Sequence, residues 1–372
     1  MRSMLSSGAA RMASWHDLAG LLDPGGQCAD PLAGGRVLDW HHLYALATKH
    51  LVAPLLYAVL EGRGRLDAVP EDVRVALAEL HRLNAARNAG LRAVLRDTVQ
   101  ILNAAGIEPI LLKGAIALLP GQSAHVGTRM MSDLDLALFN AEAEQAETVL
   151  RTAGYANVDN LDPARCTAHA HHHHVAPLFH PSGDGYVELH RAILSARMPA
   201  EALPLVRVRA AAEPIEWDGL RLWLPSLEHR LLHNALHHQV ADGAYRSDRR
   251  NLRQILEFAQ LRALPAAAAV DWRTRLSELD RLGLGAAVRV YLLTGHRLFG
   301  QPLPAGVSPG FAARWAERRF WFLVKHPGWL PFRDYAVRLR NLPRRLATPS
   351  WYPAKVRYLR RTWVSGRRAP NG

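Results

Sequence analysis

Two aspartates set one residue apart inside an apolar run, Ser132-Asp133-Leu134-Asp135-Leu136, constrain this chain more than any other feature. Side chains alternate along a strand, so Asp133 and Asp135 project from one face while Leu134 and Leu136 enter a core. Carboxylates that close repel each other unless a cation neutralises them, which makes a divalent metal ion their natural partner. About twenty residues earlier, a short apolar strand over 107–112 runs into Lys113-Gly114. A glycine turn after one strand and paired acids on the next describe a site for a phosphate-bearing ligand and its metal.

The rest of the composition sets bounds. At 372 residues the chain can bury a large core and divides into two or three subdomains. No apolar run reaches the roughly 18 residues of a membrane span, so no transmembrane segment is expected. The start, MRSMLSSGAARMASWHDL, lacks the sustained apolar stretch of a secretory signal. Cys28 and Cys166 are the only cysteines and form no CxxC pattern. That argues against a disulfide framework or a structural zinc site and makes a cytoplasmic location the default.

The net charge of +13 is local. Residues 311–372 carry 15 Lys and Arg against Glu317 and Asp334, while the remainder balances at 31 of each sign. A neutral body argues against reading the whole chain as a nucleic-acid binder. The chain has 42 Arg and only four Lys. With Arg the default cation, Lys113 stands out, because a compact ammonium at a strand-end glycine suits a phosphate oxygen in a tight space.

Helical periodicity runs over 36–61 and 70–104, punctuated by Gly62-Arg63-Gly64 and Pro70, and predicts a helical N-terminal subdomain over 1–104. An α/β core is expected over 105–225, with strands at 107–112 and 134–139 and a helix over 141–153 closed by Gly154. Residues 174–179 and 186–191 read as a strand pair across the 181–185 turn, and 214–224 as a hairpin turning at Asp218-Gly219. Helical patterns return at 226–240, 248–264, 272–282 and 285–299, a second helical subdomain over 226–301. Residues 302–372 begin as a Pro/Gly linker and continue as a basic, aromatic-rich tail. The fold class expected is α+β: a small mixed-sheet core flanked by helical N- and C-terminal subdomains.

Lys-Gly after the first strand, then Arg129-x-x-Ser132-Asp-Leu-Asp, then an Ala-rich helix ending in Gly154-Tyr155, resembles the uncharacterised nucleotidyltransferase family of bacterial proteins within the polymerase-β-like superfamily. His50-Leu-Val-Ala-Pro-Leu-Leu-Tyr57 is similar to that family's N-terminal helical signature. Val187-Glu188-Leu189-His190 is similar to its later carboxylate strand, and 227–237 to its Leu/His-rich helix. The likeness covers roughly residues 40 to 265.

The resemblance implies attack of an acceptor nucleophile on the α-phosphorus of a nucleoside triphosphate, ATP by default, with release of pyrophosphate. Two Mg²⁺ ions would neutralise the triphosphate and activate the attacking oxygen. Asp133 and Asp135 are then the metal ligands. Glu188, flanked by Val187 and Leu189, is the third carboxylate, as a ligand or as general base towards the acceptor. Nucleotide binding falls to Lys113, Gly114, Arg129 and Ser132. Better-characterised nucleotidyltransferases commonly carry Gly-Ser at the first turn; here Lys113-Gly114-Ala115 takes its place. Arg129 either reaches the triphosphate or pairs with an acid and braces the Asp-bearing strand.

Three other features leave alternatives open. The His169 and His171–His174 run suits either a soft divalent metal or a polar, site-lining segment. His233, His237 and His238 fall on one helix face, packed or facing substrate. The aromatic-rich basic tail fits an RNA surface, peripheral contact with a membrane, or helices docked on the body. The acceptor stays open between a small molecule, a peptide or protein and, less favoured, RNA. Two alternative classes are a silent nucleotide- or partner-binding relic, against which the intact acids argue, and a modifier of tRNA or other RNA.

Overall fold

A computed structural model describes residues 7–122, 127–157, 175, 177–195 and 198–346. The helical start is more divided than its periodicity predicts. Helix α1 (Gly8–Leu22) precedes it, capped by the Ser7 hydroxyl. The 36–61 stretch then resolves into α2 (Trp40–Lys49) and α3 (Ala53–Gly62). Between them Leu51 takes a positive φ of 59°, and Val52 N bonds back to Ala47 O at 2.9 Å. That left-handed residue closes α2, and Pro54 pre-sets the first turn of α3. Helix α4 (Glu71–Ala104) is one uninterrupted helix that starts on Pro70 with Glu71 and Asp72 in its first turn.

Helix α4 delivers the chain into β1 (Ile110–Leu111), which a short α5 (Lys113–Ile116) follows. Next come β2 (Asp133–Ala137), α6 (Asn140–Thr152) and β3 (Ala156–Asn157). Strands β4 (Leu178–Phe179) and β5 (Tyr186–His190) form the antiparallel pair read from the 181–185 turn. After α7 (Leu205–Ala210), β6 (Glu213–Trp217) and β7 (Leu220–Leu224) form the expected hairpin. Its two turn residues, Asp218 and Gly219, both have positive φ, at 51° and 78°, as a two-residue hairpin loop matched to strand twist requires.

The seven strands make one mixed sheet in the order β3-β4-β5-β2-β1-β7-β6. Strand β2 lies in its interior, antiparallel to β1 and parallel to β5. Leu134 and Leu136 are fully buried beneath it with Val187 and Leu189 of β5, against Leu91, Leu95 and Val99 of α4 and Ala143 and Leu150 of α6. The α+β expectation therefore holds, with helices on both sides in sequence of a small mixed sheet.

A second apolar core is mostly helical, with Ile110 of β1 and Ala137 of β2 reaching into it from the sheet. It joins α1–α3 to α8 (Leu227–Leu236), α10 (Leu252–Ala263), α11 (Trp272–Arg281) and α12 (Gly285–Phe299). A single turn, α9 (Ala244–Ser247), lies between α8 and α10. Residues 310–325, read from sequence as the start of the tail, form α13 (Gly310–Lys325) and join this core. Phe320 and Trp321 close on Trp15 of α1 at 5.3 and 6.1 Å between ring centroids. Buried Glu317 binds Arg250 and accepts bonds from Thr294 and from Trp321 Nε1 at 2.9 and 2.8 Å. A last helix, α14 (Leu330–Leu346), follows. Among the described residues no helix is long and apolar enough to cross a membrane.

Candidate active site

The register of β2 on β5 builds the site. Asp133 lies opposite Tyr186, Asp135 opposite Glu188 and Ala137 opposite His190. Facing residues of parallel neighbours share a face of the sheet, so the period-two patterns of the two strands bring Asp135, Glu188 and His190 together. One ligand atom from each of these three lies within 4.8 Å of the others. His190 Nε2 is 2.7 Å from Asp135 Oδ1 and 3.7 Å from Glu188 Oε2.

On the other side, Leu112 N bonds Asp135 O at 3.0 Å, and the chain turns at Lys113 with φ 45°. A lysine in that left-handed region costs about 1–2 kcal/mol relative to a relaxed backbone. The turn aims Lys113 Nζ at Asp135 Oδ1, 2.7 Å away. Burial opposes the charged form of Asp135, but the His190 hydrogen bond and the Lys113 ammonium prevail and hold its carboxyl far below the usual range. Asp135 is buried, whereas Asp133 and Glu188 are half-buried. Ser132 is exposed, beside Tyr186, whose phenol is pushed up by burial against a hydrogen bond with Ser132.

Gly114 sits in a tight place beside two side chains. A Cβ there would sit 2.2 Å from Arg129 Nη1 and 3.2 Å from Met131 Sδ. Arg129 Nε lies 3.0 Å from Glu257 Oε1 on α10, an ion pair that braces the segment, and the same residue lines the cavity described below. The segment entering β2 is held from two further directions. Asn84 Nδ2 donates to Gly127 O and Arg129 O at 2.6 and 3.1 Å, Asn88 Nδ2 to Arg129 O at 2.8 Å, and Arg253 to Met130 O. Sequence reading missed Asn84 and Asn88. Their signal was two amides one helical turn apart on the buried face of α4.

Lys113, Gly114, Arg129, Ser132, Asp133 and Asp135 line one wall of a cavity of about 1180 Å³. Further lining comes from Leu55 and Val59 of α3, from His233 of α8 and His237 just past its end, and from Glu257 of α10. His233 is buried, and burial together with the nearby Lys113 charge pushes its pKa well down. Its Nε2 has no hydrogen-bond partner among the described residues. His238 instead packs inside, its Nε2 accepting from Asn251 N at 3.2 Å. The His169–His174 run lies outside the described residues.

The donor set fits a divalent cation. Two strand-borne carboxylates, Asp135 and Glu188, converge in register, and Asp133 adds a third on the cavity wall. Oxygen donors of this kind suit a hard ion such as Mg²⁺. His190 offers a nitrogen to the same cluster. No curated protein and no solved structure matches the chain. A family model described as uncharacterised nucleotidyltransferase matches residues 37–300. That span holds β2, β5, the Lys113 turn and every wall of the cavity named above, and the chain belongs to this nucleotidyltransferase family.

Proposed function

We propose that the protein transfers a nucleoside monophosphate from a nucleoside triphosphate, ATP by default, to an acceptor nucleophile in a Mg²⁺-dependent reaction. The observation that carries this reading is Asp135, in register with Glu188 on β5, lining with Asp133 a cavity that Lys113 and Gly114 also line. Asp133, Asp135 and Glu188 would hold the metal, which when bound supplies charge neutralisation at the triphosphate and a more acidic acceptor oxygen.

The chain's own groups do the positioning. Lys113 offers its ammonium to the phosphates, and Gly114 lets the backbone approach them because it carries no Cβ. His190 fixes the orientation of the Asp135 carboxylate through their 2.7 Å contact. Arg129 and Glu257 brace the segment that carries Ser132 and Asp133. The acceptor oxygen attacks the α-phosphorus, the bond to the β-phosphate oxygen breaks, and pyrophosphate leaves. A cavity of about 1180 Å³ supports a donor nucleotide and part of an acceptor together. Small molecules, peptides or proteins, and RNA all suit as acceptors by charge, with the neutral body placing RNA last.

The test is a thermal-shift panel of the four triphosphates, with and without Mg²⁺, on wild type, Asp133→Asn and Asp135→Asn. Stabilisation that needs Mg²⁺, favours one base and vanishes in both variants is expected. Absence of any shift at millimolar triphosphate would replace this reading with a relic of the fold that binds a partner without turnover.

A further inference from the structure

Helix α14 is amphipathic in the reverse sense to an ordinary surface helix. Its attachment to the body is polar. Arg333 Nη1 donates to Ser247 O at 2.6 Å, and Asp334 Oδ2 accepts from Arg249 Nη2 at 3.0 Å. Leu330 and Val337 are half-buried on that side. The opposite side carries Phe332, Tyr335, Leu339 and Leu342, which are 67%, 64%, 49% and 40% exposed. Their spacing of three, four and three residues makes one continuous stripe along the helix. A globular protein ordinarily turns such a stripe inward.

The stripe extends past the helix. Trp329, 55% exposed, lies 5.5 Å from Phe332 and 6.1 Å from Phe322, itself 46% exposed on α13. These side chains form one apolar ridge, larger than the scattered hydrophobics that surfaces normally tolerate. The ridge lies in the one basic part of the chain: residues 311–372 hold 15 Lys and Arg against two acids, and residues 347–372 hold none of the acids.

We propose that this ridge docks on an anionic membrane surface. An aromatic and aliphatic stripe that enters the headgroup boundary, combined with an excess of arginine, is the pattern of a helix lying in the membrane plane. Charge complementarity selects that occupant. A second copy of the chain would bring two strongly basic regions together. Single-stranded RNA would use the arginines and the rings, but Leu339 and Leu342 have no π-face on which a base can stack. Docking leaves the reaction site free, since none of the ridge residues lines the cavity.

The experiment floats the full chain with vesicles of phosphatidylcholine alone or with about one-third phosphatidylserine, at low and high salt. The expected result is binding to the anionic vesicles only, weakened by salt, and reduced about ten-fold by the double variant Phe332→Ser with Leu339→Ser. A thermal melt of that variant checks the fold, and Tyr335→Ser with Leu342→Ser replaces it if the first is unstable. Absence of binding to anionic vesicles at low salt, or binding that both variants leave unchanged, overturns the proposal. So does a chain that ignores vesicles yet shifts single-stranded RNA, or runs as a dimer on sizing, with the same dependence on the ridge.

Discussion

Lys113 Nζ and His190 Nε2 reach the same oxygen, Asp135 Oδ1, each at 2.7 Å. One arrives from a strained turn after β1 and the other from the neighbouring strand β5, so Asp135 has a cationic or proton-donating partner on both sides. A buried carboxylate needs such partners, and a divalent cation can take the place of either. Lys113→Met removes one, and we expect a loss of about 2 kcal/mol in stability. Addition of Mg²⁺ should recover part of that loss, and nucleotide affinity should fall about ten-fold. Calorimetric melts with and without Mg²⁺ check the first point and titration with the triphosphate the second.

His190 acts on the same carboxylate as a positioning residue. His190→Ala is expected to weaken divalent-cation binding by about 10–100-fold, the usual cost of losing a group that orients a ligand. Mn²⁺ titration followed by magnetic resonance reads this without any turnover. An unchanged affinity would mean that Lys113 and the backbone suffice to orient Asp135.

Gly114→Ala tests the crowding at the first turn. A methyl 2.2 Å from Arg129 Nη1 must push the guanidinium away from Glu257. We expect about 1–3 kcal/mol of destabilisation from overpacking. Nucleotide binding should fall with it, because the displaced arginine belongs to the segment that carries Asp133. Paired melting and binding measurements give both numbers.

Acid should destabilise the helical core through His50. Its Nδ1 accepts from Leu252 N at 3.3 Å, linking the end of α2 to the start of α10. Burial first, then the Lys49 charge, lower its pKa from 6.5 to about 4. The folded value lies below the unfolded one, so the unfolded chain takes up the proton first. Stability is therefore full above pH 6.5 and falls as pH drops from there towards about 4. The loss from this one group amounts to about 3 kcal/mol across the window. Denaturant titrations at several pH values, repeated on His50→Gln, should show the slope in wild type and a flatter one in the variant.

Much of the site was legible because it is written in local periods. The alternation in 133–136 and 187–190 gave both strands and the shared face of Asp133 and Asp135, and Asp218-Gly219 gave its hairpin. What was not legible depends on distant partners. The partner of Arg129 is Glu257, 128 residues away, which no local pattern around Arg129 names. Asn84 and Asn88 looked like ordinary polar positions on a helix, since nothing local says that backbone carbonyls 41 to 45 residues on will meet them. The break at Leu51 hid inside a run whose apolar spacing continues across it. Residues 310–325 read as tail because their buried partner, Trp15, sits at the far end of the chain.

That last pairing fixes an order of events in the making of the protein. Arg11 Nε donates to Val324 O across 313 residues, and Trp15 stacks edge-on with Phe320 and Trp321. During synthesis α1 precedes α13 and must wait for it, roughly 15 to 60 seconds at ordinary elongation rates. For that interval α2 and α3 already pack against α1, but the face of Trp15 that meets Phe320 and Trp321 lacks its partner, and the sheet with its carboxylates is already complete in sequence. The candidate site is thus translated well before the helical half can close, and the aromatic face of α1 stays open until its last partner arrives.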